Sequence, residues 1–204
     1  MTNIVQDMSP AMALALTASF GSVAQWQAEF TTLANTNEGT AWMVLTFQSS
    51  LGSLVNRKAT ASDLAAAGSV PVLIRETFDP SPIAWDKVYA RYQHAVHATS
   101  DAFAAPLDVT ADATGPALVL DVRRAGVFEQ SKTMLPGARW QDPGTVAQWG
   151  PGLPRDQEVL VYCVYGHEVG RSTAMRLRAM GVNAHFLPGG IDAWQAAGKP
   201  VQPK

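Results

Sequence analysis

Cysteine is the scarcest reactive residue in this chain of 204, with Cys163 its single representative. An intramolecular disulfide and a thiolate-rich metal site are both excluded. Charge is thin as well: 15 Lys and Arg stand against 17 Asp and Glu, a net of −2. With a pI near 6.0, the chain lacks the electrostatic footprint of a protein that binds nucleic acid or an anionic membrane. No run approaches the roughly 18 apolar residues a membrane helix needs. The apolar stretch 11–20 has no charged segment before it, since the first basic residue is Arg57. It therefore reads as a core helix and not as a secretory leader. A free thiol suits a reducing compartment, so a cytoplasmic location is expected. What the chain does have is 47% hydrophobic residues, enough for a substantial core.

The two halves differ in sign. Residues 1–110 carry five Lys/Arg against nine Asp/Glu, and residues 111–204 carry ten against eight. Between them, Ala104-Ala105-Pro106 and Asp112-Ala113-Thr114-Gly115-Pro116 are small, polar and broken by proline, as an exposed connection is. This predicts two domains, 1–107 and 108–204.

The second half alternates strand and helix signals. Residues 117–122, 158–163 and 183–187 are short apolar, β-branched runs without polar alternation, as expected of parallel strands buried on both faces. Residues 172–180 show helical spacing, with Arg171, Arg176 and Arg178 on a polar face. An α/β domain with a parallel sheet and flanking helices follows. Its chemistry belongs at the carboxyl edge of that sheet. Cys163 ends the second strand there, and Val164-Tyr165-Gly166-His167-Glu168-Val169-Gly170 lead into the helix. A tight loop at a helix start turns several N–H groups toward one point, which lowers the pKa of a thiol and cradles a small oxyanion. Taken alone, a single cysteine is a small buried hydrophobe; in this setting it reads as a nucleophile ionised near neutral pH.

Four spaced signatures, Asp121-Val122-Arg123, Leu135-Pro136-Gly137-Ala138, Tyr162-Cys163 with Gly166, and Gly189-Gly190-Ile191-Asp192-Ala193-Trp194, resemble the rhodanese domain over about residues 112–200. The resemblance implies sulfur transfer from thiosulfate or a persulfide to cyanide or a thiol through a persulfide on Cys163. The N–H groups of Val164, Tyr165, Gly166, His167, Glu168 and Val169 would hold the anionic donor, with Arg123 and Arg171 assisting. Gly189-Gly190 and Trp194 read as a tight turn and an anchor behind the site. His167 fits either a proton donor to the leaving group or a plain rim residue. Glu168 is odd in an anion site and is expected to face solvent, because a carboxylate facing the sulfur would raise the thiol pKa.

The loop is one residue longer than in common single-domain rhodaneses and resembles in length that of dual-specificity cell-cycle phosphatases. Those enzymes need an arginine six positions after the cysteine, where this chain has Val169, so phosphatase activity is not expected. The loop sequence also resembles rhodanese-type proteins associated with chromate resistance. The alternative function is thus an oxyanion-binding protein, for chromate or arsenate, or a redox stress adaptor, in either case without turnover.

In the first half, apolar residues recur at helical steps from Met8 to Leu33 with a break at Phe20-Gly21-Ser22. Strands are expected over 40–47 and 70–74 and a helix over 83–98. Phe20-Gly21-Ser22, Phe30, Gly39-Thr40-Ala41-Trp42 and Pro71-Val72-Leu73-Ile74 resemble the carboxy-terminal domain of iron/manganese superoxide dismutases over about residues 9–103, a smaller α+β module. Where that family has its Asp and His metal ligands the chain has Glu76 and Pro80, and the helical hairpin bearing the other two ligands is missing. No metal, no cofactor and no superoxide dismutation are expected; the resemblance leaves a structural or dimerising module, with a homodimer as the expectation. His94 and His97 share a helix face, but two imidazoles alone make a weak metal site. Trp26, Trp42, Trp85 and Phe78 read as core. The expected partners are a small anionic sulfur donor and a thiol acceptor.

Overall fold

The computed structural model describes residues 4–35, 42–60, 63–65, 68–76, 79, 81–105 and 118–204. The chain divides into two compact units, Met1–Ala95 and Val96–Lys204. The expected boundary near residue 108, Gly39–Ala41, Phe78, Pro80 and Ala117 lie outside the described residues.

In the first unit, α1 (Pro10–Phe20) starts where Ser9 Oγ accepts a hydrogen bond from Met12 N and Pro10 takes the first helical position, a residue order that satisfies an orphan donor and forbids extension backward. It stops at Gly21, whose φ of +87° suits glycine above other residues. After this break α2 (Val23–Asn35) begins. The sheet that follows contains β1 (Trp42–Gln48), β2 (Ser53–Ala59) and β3 (Ser69–Arg75) in the order β2-β1-β3, antiparallel throughout. β2 has no sequence signal of its own: Asn56, Arg57 and Lys58 interrupt its alternation, and its pairing to β1 makes it a strand. Trp26 and Trp85 are buried in edge-to-face contact at 5.4 Å, and Trp26 Nε1 donates to Asn56 Oδ1. Trp42 is half-buried. The helix α3 (Trp85–Ser100) starts in this unit, and its last turn, from Val96, belongs to the second.

The second unit holds β4 (Leu118–Asp121), α4 (Ala125–Gln130), β5 (Thr133–Met134), β6 (Arg139–Trp140), α5 (Val146–Trp149), β7 (Glu158–Tyr162), α6 (Glu168–Ala179), β8 (Asn183–Phe186), α7 (Gly190–Ala196) and β9 (Gln202–Pro203). Strands β6-β4-β7-β8 form a parallel sheet in that order, and β5 pairs antiparallel with β9. Successive residues of a strand face opposite sides, and β7 shows the consequence. Val159, Val161 and Cys163 enter one core with Ala174 and Leu177 of α6. Leu160 and Tyr162 enter another with Ile191 and Trp194 of α7. The sheet is thus clad on both faces, and Cys163, directly after the central strand β7, emerges on the α6 side.

Candidate active site

The segment 163–167 turns from β7 into α6, and its path is fixed by backbone contacts to the next turn of chain. Ile191 N donates to Cys163 O and Asp192 N to Val164 O, each at 3.0 Å. Gly166 lies at φ +66°, where a Cβ would fall 2.5 Å from Gly189 N; at Gly190, φ +59°, it would fall 2.4 Å from Cys163 O and Val164 O. Both positions therefore require glycine for space as well as for backbone angle. Gly189-Gly190 is not merely behind the site: it holds the loop's shape.

The helix begins at Glu168, not near residue 172 as the periodicity predicts. Gly170 hides the signal, since glycine is a poor helix former, while a glutamate at the first turn complements the positive helix end. The converging amides are present: Cys163 Sγ accepts from the N–H groups of Gly166, His167 and Gly170. Gly170 is the donor that the sequence reading misses. Its missing side chain matters, because a Cβ there would stand 3.3 Å from Sγ.

The expectation of a thiol ionised near neutrality is corrected. Cys163 is 5% exposed, and burial pushes its thiol pKa up against the three amides that draw it down, with the Glu168 carboxylate adding to the rise. Desolvation outweighs dipoles when so little water reaches the sulfur. Glu168 is likewise corrected: it is buried, not solvent-facing, and Arg124 Nη2 donates to its Oε1 at 3.0 Å.

The two expected cations are engaged elsewhere. Arg123 is buried, its Nε 2.9 Å from Asp121 Oδ2 and its Nη2 donating to Thr133 O; Tyr162 Oη donates to the same Asp121 oxygen at 2.8 Å. This network lies under the carboxyl ends of β4 and β7 and stiffens them. Arg171 ties the loop to the chain ahead of the sheet: Nε donates to Gly166 O at 2.9 Å, and Nη1 donates to Ser100 Oγ at 2.9 Å and Asp101 Oδ1 at 2.6 Å. It shapes the loop through a carbonyl, a task better suited to a forked guanidinium than to an ammonium. Val164 gives its carbonyl to α7, and Val169 packs against the core that holds Cys163. Tyr165 is 56% exposed.

The rim carries one residue from far away in sequence. His97, in the last turn of α3, packs its ring 5.7 Å from that of His167, which in turn lies 5.7 Å from Tyr165. Burial, together with the charges of Arg171 and His167, lowers the His97 pKa. No periodicity or motif could have joined it to the loop.

Residues 105–197 match the family model for the rhodanese-like domain, and residues 8–97 match that for the iron/manganese superoxide dismutase C-terminal domain. The chain carries a rhodanese-like domain behind a dismutase-type domain. A superoxide dismutase [Fe] of Cupriavidus metallidurans is 38% identical over 72 residues, 35% of this chain. The chain spans about a third of that protein's length, 36%. A full-length protein from Lactobacillus plantarum is 27% identical and matches 48% of this chain and 82% of its own, with a TM-score of 0.43. A rhodanese-related protein from Thermoplasma volcanium is 24% identical, matches 48% of this chain and 96% of its own, and has a TM-score of 0.42.

The dismutase-type domain implies an iron or manganese ion, and its residues do not fit one. The strand that would deliver a ligand, β3, ends instead in a buried cation: Arg75 is 7% exposed, and its Nη2 donates to the carbonyls of Asp79 and Ser81. Glu76 follows on the surface, and proline at position 80 offers no ligand atom. Among the described residues no three His, Cys, Asp or Glu side chains come together as a metal site, and no helix is long and apolar enough to cross a membrane.

Proposed function

We propose that this protein is a sulfurtransferase of the rhodanese type, with Cys163 as nucleophile and persulfide carrier. The observation that supports it is the convergence of the Gly166, His167 and Gly170 N–H groups on one sulfur at the carboxyl edge of a parallel sheet. The thiolate attacks the sulfane sulfur of thiosulfate or of a persulfide, and the S–S bond of the donor breaks. Sulfite or a thiolate departs with the bonding pair. Cyanide or an acceptor thiolate then attacks the outer sulfur of the Cys163 persulfide, and the Cys163 thiolate is regenerated. The amides suit a sulfur that carries negative charge in the thiolate and persulfide states. The test is thiocyanate production from thiosulfate and cyanide: the wild-type chain turns over and Cys163→Ala does not. Equal rates in the two proteins would refute the proposal.

A second reading is favoured by the buried, protonation-prone thiol: a module that binds an oxyanion such as chromate or arsenate without turnover. It requires saturable anion binding that survives Cys163→Ser together with no persulfide in the wild-type protein.

A further inference from the structure

Arg171 holds the Cys163 loop through Gly166 O, Arg124 holds Glu168 at the start of α6, Arg123 lies under β4 and β7, and each already has a carboxylate partner. Arg123 pairs with Asp121, Arg124 with Glu168 and Arg171 with Asp101. An incoming dianion therefore finds side-chain charge near balance and must rely on amides alone. The charge that remains to be gained is on the imidazole of His97. His97 and His167 lie ring to ring at 5.7 Å with planes 59° apart, and among the described residues neither imidazole is ion-paired with a carboxylate. The pair is anchored to the loop at both ends. His167 gives its own N–H to Cys163 Sγ and its carbonyl to Arg171 N, and His97 stands on the last turn of α3, three residues before Ser100, to which Arg171 donates.

We infer that His97 is a donor-binding residue of this site, its imidazole, packed against the ring of His167, taking up a proton to hold an anionic sulfur donor at the mouth of the loop. His97 precedes the rhodanese-like segment in sequence yet lies in the same compact unit. The inference rests on the loop being the seat of such a donor. Facing His97 are Arg171 from α6, His167 from the loop, Glu168 from the start of α6 and Asp101 from the turn after α3. The first two oppose its protonation and the carboxylates favour it. Burial adds to the opposition. These influences together push the free His97 imidazole toward its neutral form, and a bound anion shifts it toward the charged form, since an opposite charge at close range stabilises imidazolium. The result is an anion affinity that rises as pH falls. Glu168 and Asp101 keep their own arginines, so the added charge is not consumed by them.

The test measures thiosulfate binding to the full chain bearing Cys163→Ser, by calorimetry at about pH 6 and about pH 8. The parent protein is expected to bind about five- to tenfold more tightly at the lower pH, the size of an ordinary coupling between two bound species. Adding His97→Gln is expected to remove that pH dependence. Adding His97→Lys, which carries a fixed charge, is expected to give tight binding at both pH values, a gain that misfolding cannot produce. Affinity that does not change with pH in the parent, or that changes equally with Gln at position 97, would overturn the inference. The serine variant cannot form a persulfide, so these results are independent of turnover. Failure of the wild-type chain to make thiocyanate would instead overturn the sulfurtransferase proposal alone.

Discussion

Cys163 stands between opposed influences. Three amide dipoles favour its thiolate, while burial and the adjacent Glu168 carboxylate favour the thiol. Burial is the largest of these influences, so the balance favours the protonated form in the free protein. Glu168→Gln keeps the side chain's size and its reach to Arg124 but removes the negative charge. The thiol pKa is then expected to fall, and alkylation by iodoacetamide at neutral pH to speed up relative to wild type; an unchanged rate would show that Glu168 does not act on the sulfur. The same balance links to stability. In the fold the thiol holds its proton to higher pH than in the unfolded chain, where it ionises near its ordinary value of 9.0. A raised folded pKa contributes stability below the unfolded value, and this contribution is lost as pH rises toward the folded one. Urea titrations are expected to show wild-type stability falling above about pH 9, and Cys163→Ala lacking that part of the fall. Tyr162, also raised by burial and by Asp121, acts in the same direction at still higher pH and is present in both proteins.

At the scale of elements, the site is a strand, a five-residue turn and a helix held against a glycine turn. Gly190 lets the chain pass within contact of the Cys163 and Val164 carbonyls while Ile191 and Asp192 donate to those same carbonyls. Gly190→Ala is expected to cost about 1–3 kcal/mol from the left-handed backbone alone and more from the clash, and to lower transfer activity together with the melting temperature. A stable variant with full activity would show that the loop's shape does not depend on this turn. The strand-loop-helix order is legible in the sequence because buried parallel strands appear as unbroken apolar runs, as at 158–163. Gly166 and Gly189-Gly190 are legible because left-handed backbone selects glycine. The start of α6 is obscured by Gly170, and β2 by its polar centre. The engagement of Arg123, Arg171 and Glu168 is not legible, because partners such as Asp101 and Arg124 are chosen by tertiary approach over 70 and 44 residues of chain.

Across the whole molecule, two domain types share one chain. The dismutase-type domain retains helices, sheet and aromatic core, with Trp26, Phe30 and Trp85 buried together, because packing constrains those positions whatever the function. Its metal-ligand strand ends in a buried arginine, and a fixed cation opposes a second cation beside it. Incubation with iron or manganese followed by desalting is expected to leave no stoichiometric metal and no superoxide dismutation; one bound equivalent with activity would require ligands other than those the family uses. In the proposed function, catalysis falls to the rhodanese-like domain and its reactive atom is the Cys163 sulfur. The most direct measurement is intact-protein and peptide mass spectrometry after exposure to thiosulfate under non-reducing conditions. The sulfurtransferase reading predicts a gain of one sulfur, about 32 Da, on the peptide containing Cys163, removed by cyanide. An unchanged mass, or a gain of oxygen in place of sulfur, would contradict it.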